Sequence, residues 1–518
     1  MNWSLPSFDP DSRWGRILRG LLFVCATLLI GRFIALKIYH VPSRTDILIF
    51  CTLVSCIPVL KFPRFGVFYL FIVPPLLPFV RRFYYTFYDR PDQDLFHIIP
   101  DMVVLLLTFV FLDRLRKHAD LAVEDKPLLK ALWIFIGYQF LRSLVGNYLP
   151  ALEGLSQFKF AVLYMMCFFF AFTFIDNKEQ VRSLFRLTVV LGVLVGLYGI
   201  KQTFFGFTDF ELIWLKYMKD KFVTLFISGV PRPFSTLSSP ACFADFMMIA
   251  ILAAFCMILL SSGTVRLFYV LTVPVMFYAL LLTSVRTNWM GLIVGVIFWF
   301  IIAHRASLKR KVVLMTFLVA VSFAMNTLLD LSFSPGDIKL MSFEQTEKTL
   351  LTPGGQQNIT DIFVKERLSA IADPLEEHSM VSRFAMWKMV LQHSVWLPMG
   401  PFGWGLGTFN AHNYYLTILY EIGYPGLFLL LFILYRIFRQ GFRVYKEEEE
   451  RDKRVLVRGM LAILFMIAFI NTTGTHISSH PADIYFWFFA GLLMIIRRLK
   501  SGTDAGRFVS TSVFRDPT

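Results

Sequence analysis

Long apolar segments alternate with short polar links along most of this chain. A helix of about 20 apolar residues crosses the hydrocarbon core of a bilayer, so these segments predict membrane-spanning helices. The fourteen candidate spans are 17–36, 45–61, 64–80, 96–113, 131–148, 158–176, 182–204, 241–261, 266–283, 287–303, 311–328, 413–436, 455–473 and 481–497. A re-entrant pair is the alternative where the short segments contain Pro74, Pro75 and Asp101. The predicted fold class is an all-α polytopic membrane protein with about 14 transmembrane helices.

Composition and charge support a membrane protein and set its orientation. Hydrophobic residues make up 56% of the 518 residues, and charged residues make up 17%. A soluble protein of this size needs many more charged residues on its surface, so that class is excluded. The net charge of +15 comes from short Lys and Arg runs between the spans, which the positive-inside rule places in the cytoplasm. We therefore expect both termini in the cytoplasm and no nucleic-acid partner.

Two long loops are predicted on the opposite, periplasmic face. They comprise the 36 residues of 205–240 and the 84 residues of 329–412. In the larger loop, Phe384 and Trp387 fall at helical spacing behind Ser382, a possible N-cap. This pattern predicts a short amphipathic helix that lies on the membrane surface.

Four polar residues from distant segments are predicted to meet at the periplasmic interface: Arg232, Arg286, Arg383 and His412. Guanidinium groups match phosphate oxygens in bidentate fashion, and an imidazole exchanges a proton near neutral pH. No pair of acidic residues accompanies them, so we expect no metal-dependent phosphoryl chemistry. The set suits transfer from a lipid diphosphate to a hydroxyl, because arginines stabilise the leaving charge. The alternative for each arginine is that it snorkels to lipid headgroups.

Other polar residues near the same face have more than one interpretation. His476 and His480 are spaced so that one helical turn would let both coordinate a metal ion beside Asp483, although two histidines are too few ligands for a firm site. Arg142 and Asp245 lie inside predicted spans, where they either line a substrate groove or pair with each other.

Several motifs resemble the signature of the bacterial O-antigen ligase and O-antigen or exopolysaccharide polymerase family of integral membrane glycosyltransferases. They are Ser382–Trp387, Gly403–Phe409, His412–Leu416 and Glu421–Gly426. The stretch Ser284–Trp289 resembles the arginine-bearing turn of that family. Pro231–Pro240 resembles its other arginine loop, but Phe-Ser-Thr-Leu stands where the family usually has Gly-Thr-Phe. We predict an N-terminal helical part at 1–180, a family-like core at 181–440 and a C-terminal part at 441–518.

The resemblance implies a metal-independent, inverting glycosyltransferase of the bacterial inner membrane that needs no cofactor. It would act at the periplasmic face on undecaprenyl-diphosphate-linked oligosaccharides. The fourteen spans and the 84-residue loop favour the polymerase branch of the family, which joins repeat units to each other. By residue matching, Arg232 and Arg286 would bind the diphosphate and His412 would activate the acceptor hydroxyl. The substrate-binding and supporting residues would be Arg383, Asn413, Glu421, Trp387 and Tyr414.

Two alternatives to the polymerase stay open at this level. A ligase would transfer the glycan to lipid A core instead of to another repeat unit. As partners of a polymerase we expect a chain-length regulator and a flippase. A transporter or flippase for lipid-linked glycans would make no bond at all. Transporters usually place a charged site at the bilayer midplane between repeats, but here the polar candidates lie at one face. The pattern therefore favours an enzyme.

Overall fold

The structure is a computed structural model. It describes residues 44–85, 96, 98–117, 125–144, 151–218, 225–227, 230–302, 378–396 and 400–499. Two predicted spans, 17–36 and 311–328, lie outside these residues, as does most of the 329–412 loop before residue 378. Each of the other twelve predicted spans overlaps a helix of the structure, although several extend past the helix ends or into residues that the structure does not describe.

The first half of the described chain is helical except for one very short hairpin. Its helices are α1 (Arg44–Lys61), α2 (Pro63–Tyr85), α3 (Ile98–Lys117), α4 (Lys126–Leu144), α5 (Ala151–Val162), α6 (Cys167–Phe174), α7 (Lys178–Phe204) and α8 (Asp209–Met218). A 3-10 turn, Leu163–Met166, joins α5 to α6. Strands β1 (Phe226–Ile227) and β2 (Val230–Pro231) pair antiparallel, with Phe226 opposite Pro231. The segments suggested as a re-entrant pair form the two separate helices α2 and α3.

The second half is also helical. Its helices are α9 (Pro240–Leu260), α10 (Gly263–Leu282), α11 (Arg286–Ile302), α12 (His378–Trp396), α13 (Tyr414–Glu447), α14 (Arg451–Ile470) and α15 (Ala482–Ile495). Three 3-10 turns lie at Gly400–Phe402, His476–Ser478 and Ile496–Arg498. Helix α12 is the helix expected behind Ser382, but it begins at His378, so Ser382 lies within it and is not its N-cap.

Local sequence explains where the helices begin. Ser239 accepts a hydrogen bond from the backbone N–H of Cys242 at 3.2 Å, and Pro240 occupies the first turn of α9. Asn177 and Gln180 form a reciprocal capping box at the start of α7. These caps satisfy N–H groups that have no partner within the helix.

Among the described residues, six helical segments are long and apolar enough to cross a membrane: Pro63–Tyr84, Gly154–Phe174, Lys178–Phe204, Pro240–Leu260, Gly263–Leu282 and Tyr414–Glu447. Helix α9 is the most buried of them and packs against α7, α10, α11 and α14. The fold is thus all-helical and membrane-spanning, while the total of fourteen spans stays a prediction.

The connecting loops meet at two ends of the helical bundle. At one end, the Arg436 guanidinium binds the Asp125 carboxylate at 2.6 Å, and Lys178 pairs with Glu450. At the other end, the Arg232 side chain joins the loop after β2 to the α10–α11 turn, and backbone hydrogen bonds join Tyr414 at the start of α13 to the loop before α15. Asp245 contacts both pairs through Asn288 and His476. These are the loops predicted to share the periplasmic face, so the candidate residues collect at one end.

Candidate functional site

The loop that carries Arg232 is held by two buried side chains from earlier helices. The Gln202 Oε1 atom accepts hydrogen bonds from the backbone N–H groups of Phe234 at 3.1 Å and Ser235 at 2.7 Å. Arg82 is fully buried and donates to the carbonyl oxygens of Ser235 and Leu237. Its guanidinium carbon lies 4.5 Å from the centre of the Phe234 ring. Because a buried charge is costly, these contacts indicate a firmly fixed loop.

The turn that carries Arg286 is built from its own side chains. Thr283 Oγ1 donates to the Leu280 carbonyl at 2.7 Å and accepts from the Val285 N–H at 3.3 Å. The Trp289 indole N–H also donates to the Leu280 carbonyl, at 3.1 Å. Arg286 is the first residue of α11 and is partly exposed. The turn therefore presents its guanidinium at a defined place at the end of the bundle.

A direct contact links the two arginine loops. Arg232 Nη1 lies 3.5 Å from the Thr283 carbonyl oxygen, so the Arg232 side chain reaches the turn that precedes Arg286. The fold thus places the Arg232 side chain beside the turn that carries Arg286. Guanidinium groups at this place are able to form charge-assisted hydrogen bonds to an anion such as phosphate.

The segment that carries His412 is tied to α12 and to the start of α13. The Trp387 indole N–H donates to the Ala411 carbonyl at 2.9 Å, and Asn410 Oδ1 accepts from the His412 N–H at the same distance. Asn413 is the N-cap of α13, since its Oδ1 accepts from the N–H groups of Tyr415 and Leu416. Tyr414 is buried and anchors the helix start. The imidazole of His412 remains exposed.

The glycine-rich segment before His412 packs directly on a kink in α13. Gly423 sits at the kink with φ 71° and ψ −171°, and a Cβ there would lie 2.3 Å from the Pro401 carbonyl oxygen. Glu421 fastens the segment: its carbonyl accepts from the Gly405 N–H at 2.8 Å, and its Oε1 accepts from the Gly407 N–H at 2.7 Å. The glycines therefore allow close backbone contact, and Glu421 holds the loop that leads to His412.

Arg383 links the histidine segment to the loop before α15. Its Nη1 lies 3.4 Å from the Thr473 carbonyl, and the carbonyls of Asn471 and Gly474 accept from the Tyr414 N–H at 2.8 and 2.9 Å. His412 stays accessible, but neighbouring groups exclude part of the water around its imidazole, and this desolvation together with the positive charge of Arg383 lowers the pKa of His412 from its ordinary value of 6.5. The imidazole is therefore neutral at pH 7 and able to accept a proton.

Backbone strain marks the same three loops. Among the described residues, three non-glycine residues have positive φ: Ser235 at 53°, Ser284 at 55° and His412 at 50°. Each belongs to a different candidate loop, and a left-handed conformation at a non-glycine residue is uncommon. Such strain persists only where the surroundings enforce it, and it tends to occur at functional sites. The strain thus points to the Arg232, Arg286 and His412 loops as a group.

The structure decides two of the open interpretations. Arg142 and Asp245 do not pair: Arg142 Nη2 donates to the Gly403 carbonyl at 2.6 Å, whereas Asp245 contacts Asn288 and His476. His476 and His480 do not share a ligand position either, because His480 Nδ1 lies 2.7 Å from Asp483 instead. In the described part of the chain, no group of three or more His, Cys, Asp or Glu residues is arranged to hold a metal ion.

Several residues that support the loops were not singled out from the sequence. Arg82 and Gln202 lie within long apolar segments, and Asn288 and Asn471 are buried amides at helix ends. A polar residue in an apolar span is a signal in itself, because burial without a partner is costly. The sequence contains that signal, but it does not show which loop such a residue contacts.

The helices and loops define an all-helical membrane protein with a strained, arginine-rich site at one end of the bundle. Residues 271–431 match the family model of O-antigen ligase. The match contains Arg286, Arg383 and His412, while Arg232 lies outside it. No curated protein matches the chain. The resemblance to the O-antigen ligase and polymerase family is therefore confirmed over this segment, and the described helices are those of a membrane-spanning protein.

Proposed function

We propose that the protein transfers an oligosaccharide from undecaprenyl diphosphate to a hydroxyl of a second glycan at the periplasmic face of the inner membrane. The observation that carries the proposal is the contact of the Arg232 side chain with the Arg286 turn, together with a neutral His412 beside Arg383. The O-antigen ligase match supports a lipid-linked glycan as substrate.

The arginines serve the leaving group. Arg232 and Arg286 bind the diphosphate oxygens through their guanidinium forks, and their charge stabilises the diphosphate as it departs. A diphosphate stabilised in this way leaves without being protonated by an acid. The acceptor hydroxyl oxygen attacks the anomeric carbon from the opposite side, so the bond to the diphosphate oxygen breaks and the configuration inverts.

His412 serves the acceptor. Its exposed, neutral imidazole accepts the hydroxyl proton as the new glycosidic bond forms, and it releases that proton to water afterwards. Asn413 and Glu421 fix the segment from both sides, and Trp387 holds the preceding residue. Arg383 keeps the imidazole neutral and adds positive charge near the diphosphate. Tyr414 anchors the segment at the start of α13.

An apolar groove supports a lipid-linked donor. A depression of about 320 Å³ lies between α11, α13 and α14, and its lining includes Phe298, Tyr415, Phe438 and Phe469. Helix α11 begins at Arg286 and α13 begins directly after Asn413, so the groove lies between the two helices that start at the polar site. We assign it to the polyprenyl chain, because its apolar lining at membrane depth accommodates a hydrocarbon chain while the diphosphate lies at the polar end of the bundle.

We favour a polymerase, in which the acceptor is another lipid-linked glycan. The long loop at 329–412 supports this choice, since a growing chain needs both a donor groove and an acceptor groove. The ligase is the second candidate because the matching family model describes an O-antigen ligase. Its acceptor would be lipid A core, and the transfer chemistry would be the same.

Two substitutions test the assigned roles. His412→Ala should lower kcat about 100-fold or more, because it removes a general base. Arg286→Lys should cause a comparable loss, since an ammonium group does not replace the guanidinium fork. The measurement is the rate of glycan transfer per amount of folded, membrane-inserted protein.

A matched control separates the role of Arg286 from a general effect of an Arg→Lys change. Arg266→Lys makes the same substitution at an exposed position near the other end of α10. It should transfer at the wild-type rate. Normal transfer by His412→Ala or Arg286→Lys would disprove the assigned roles.

A further inference from the structure

A buried carboxylate lies between the two halves of the candidate site. Asp245 belongs to α9 and is 1% exposed. Its Oδ1 accepts a hydrogen bond from Asn288 Nδ2 at 2.6 Å, and its Oδ2 lies 2.9 Å from His476 Nδ1. Both carboxylate oxygens are therefore used, and the imidazole of His476 donates its Nδ1 proton to Asp245. A buried carboxylate with good partners on both oxygens is strongly fixed in position.

One partner of Asp245 belongs to the arginine turn. Asn288 is fully buried in the first turn of α11, two residues after Arg286. Its backbone N–H donates to the Val285 carbonyl at 3.0 Å, so its side chain and the turn are joined. Through Asn288, Asp245 sets where α11 begins and hence where Arg286 stands.

The other partner belongs to the loop that supports the histidine segment. His476 follows Thr473 and Gly474, whose carbonyls accept from Arg383 and from the Tyr414 N–H. Gly474 also touches the imidazole, because a Cβ at that position would lie 2.3 Å from His476 Nε2. The ring of His476 and the backbone of this loop therefore move together.

We infer that Asp245 and His476 form a positioning pair that fixes the Arg286 turn and the His412 segment relative to each other. The inference rests on the proposed function, but it concerns two residues that the transfer chemistry does not use. Neither residue is assigned a contact with the substrate. Asp245 acts on the arginine side through Asn288, and it acts on the histidine side through His476.

The arrangement makes a prediction that differs for the two sides. Asn288→Ala loosens the arginine turn and should raise the KM for the lipid-linked donor at least fivefold with a smaller change in kcat. His476→Ala loosens the loop beneath Tyr414 and should lower kcat at least fivefold with a smaller change in donor KM. Asp245→Leu removes both contacts and should show both effects.

Two further variants exclude a general loss of structure. Asp245→Asn keeps an acceptor for Asn288 and gives His476 a donor if the imidazole changes tautomer, so it should recover much of the activity lost in Asp245→Leu. Gly474→Ala retains the imidazole but displaces it, so it should reproduce the kcat effect of His476→Ala. Asp125→Leu is the matched control: it removes another buried carboxylate, bound to Arg436 at the opposite end of the bundle. It should leave kcat and KM per folded molecule at wild-type values.

The outcomes are distinguishable from failure of the proposed function. If His412→Ala is inactive but Asn288→Ala and His476→Ala both have wild-type kcat and KM, the positioning pair is wrong and the transferase stands. If His412→Ala is fully active, the proposed function itself fails. If Asp245→Leu does not fold, the inference is tested by comparing Asn288→Ala, which should mainly raise the donor KM, with His476→Ala, which should mainly lower kcat. Equal effects of the two variants on kcat and KM would overturn the inference.

Discussion

Replacing Gly423 with alanine should detach the glycine-rich segment from the kink in α13. The residue has φ 71° and ψ −171°, a conformation that is essentially restricted to glycine. A Cβ would lie 2.3 Å from the Pro401 carbonyl oxygen and 2.6 Å from the Phe402 Cα atom. Both neighbours are backbone atoms, so a side-chain rotation cannot relieve the contact.

The size of the effect follows from two contributions. Forcing a residue with a side chain into this conformation costs about 1–3 kcal/mol. If the segment moves away to relieve the overlap, hydrogen bonds from Trp404 N–H to the Tyr420 carbonyl and from Gly405 and Gly407 to Glu421 are lost. At roughly 1 kcal/mol each, these bonds add about 3 kcal/mol. We expect a total loss of about 4–6 kcal/mol in the free energy of unfolding of this region.

The assay compares thermal unfolding of purified variants in detergent with their rate of glycan transfer. Gly423→Ala should melt below the wild type and lose activity, because the displaced segment leads to His412. Gly137→Ala is the matched control: Gly137 lies within α4 and a Cβ there meets nothing within 4 Å. It should melt at or slightly above the wild-type temperature, since alanine favours a helix. Equal melting temperature and activity for Gly423→Ala and the wild type would refute the packing argument.

Three further predictions concern the loops. The kcat should fall as the pH drops through the lowered pKa of His412, because the imidazole must be neutral to accept a proton. Arg383→Gln removes a positive charge and raises that pKa, so the acidic limb of the pH–kcat profile should move to higher pH. An unmoved limb would contradict the assignment. Arg82→Lys should raise the donor KM, because a single ammonium group binds the Ser235 and Leu237 carbonyls less well than the guanidinium does. An unchanged KM would mean that the Arg232 loop keeps its position without the Arg82 guanidinium. Glu421→Gln should keep the melting temperature near that of the wild type, because the side-chain amide oxygen of glutamine still accepts from the Gly407 N–H. Glu421→Ala should lower the melting temperature, and equal melting temperatures of the two variants would exclude a role of this side chain in holding the glycine-rich segment.

Helix positions were well predicted because apolar runs of span length leave few alternatives. Each predicted span that lies among the described residues overlaps a helix, and Asn413 caps α13 at the place where that span was predicted to begin. The predicted start of α12 was wrong by five residues, since an N-cap at Ser382 places the first helical residue at 383 and the helix begins at His378. Ser382 has the right residue type for an N-cap, but the helix already begins at His378, four residues earlier. A capping residue type alone does not determine where a helix begins.

Contacts between distant segments could not be predicted from the sequence. Arg142 and Asp245 were candidates for a pair because both are charged and buried, yet each has a closer partner on another element. The His476 and His480 spacing suggested a shared ligand, but the turn between them directs the two rings to different aspartates. Sequence spacing reports neighbours within one helix, whereas these partners are set by how helices pack.

The glycine-rich motif shows the same division. The structure shows why its glycines are needed: Gly403 and Gly423 allow two backbones to touch. The motif resemblance also identified Arg286, Arg383 and His412 as residues of one family domain, which the match over 271–431 supports. Their roles in transfer remain our proposal, and the substitutions above test them.

The most direct test of the central claim is glycan transfer by the purified protein. The protein is incubated in detergent with oligosaccharide repeat units linked to undecaprenyl diphosphate, in the presence of EDTA, and the products are resolved on a gel. We predict a ladder of longer lipid-linked glycans with no other acceptor added, and no ladder with His412→Ala. A shifted band that requires lipid A core would establish the ligase instead. No product under either condition, from protein that binds the donor and is correctly folded, would contradict the account.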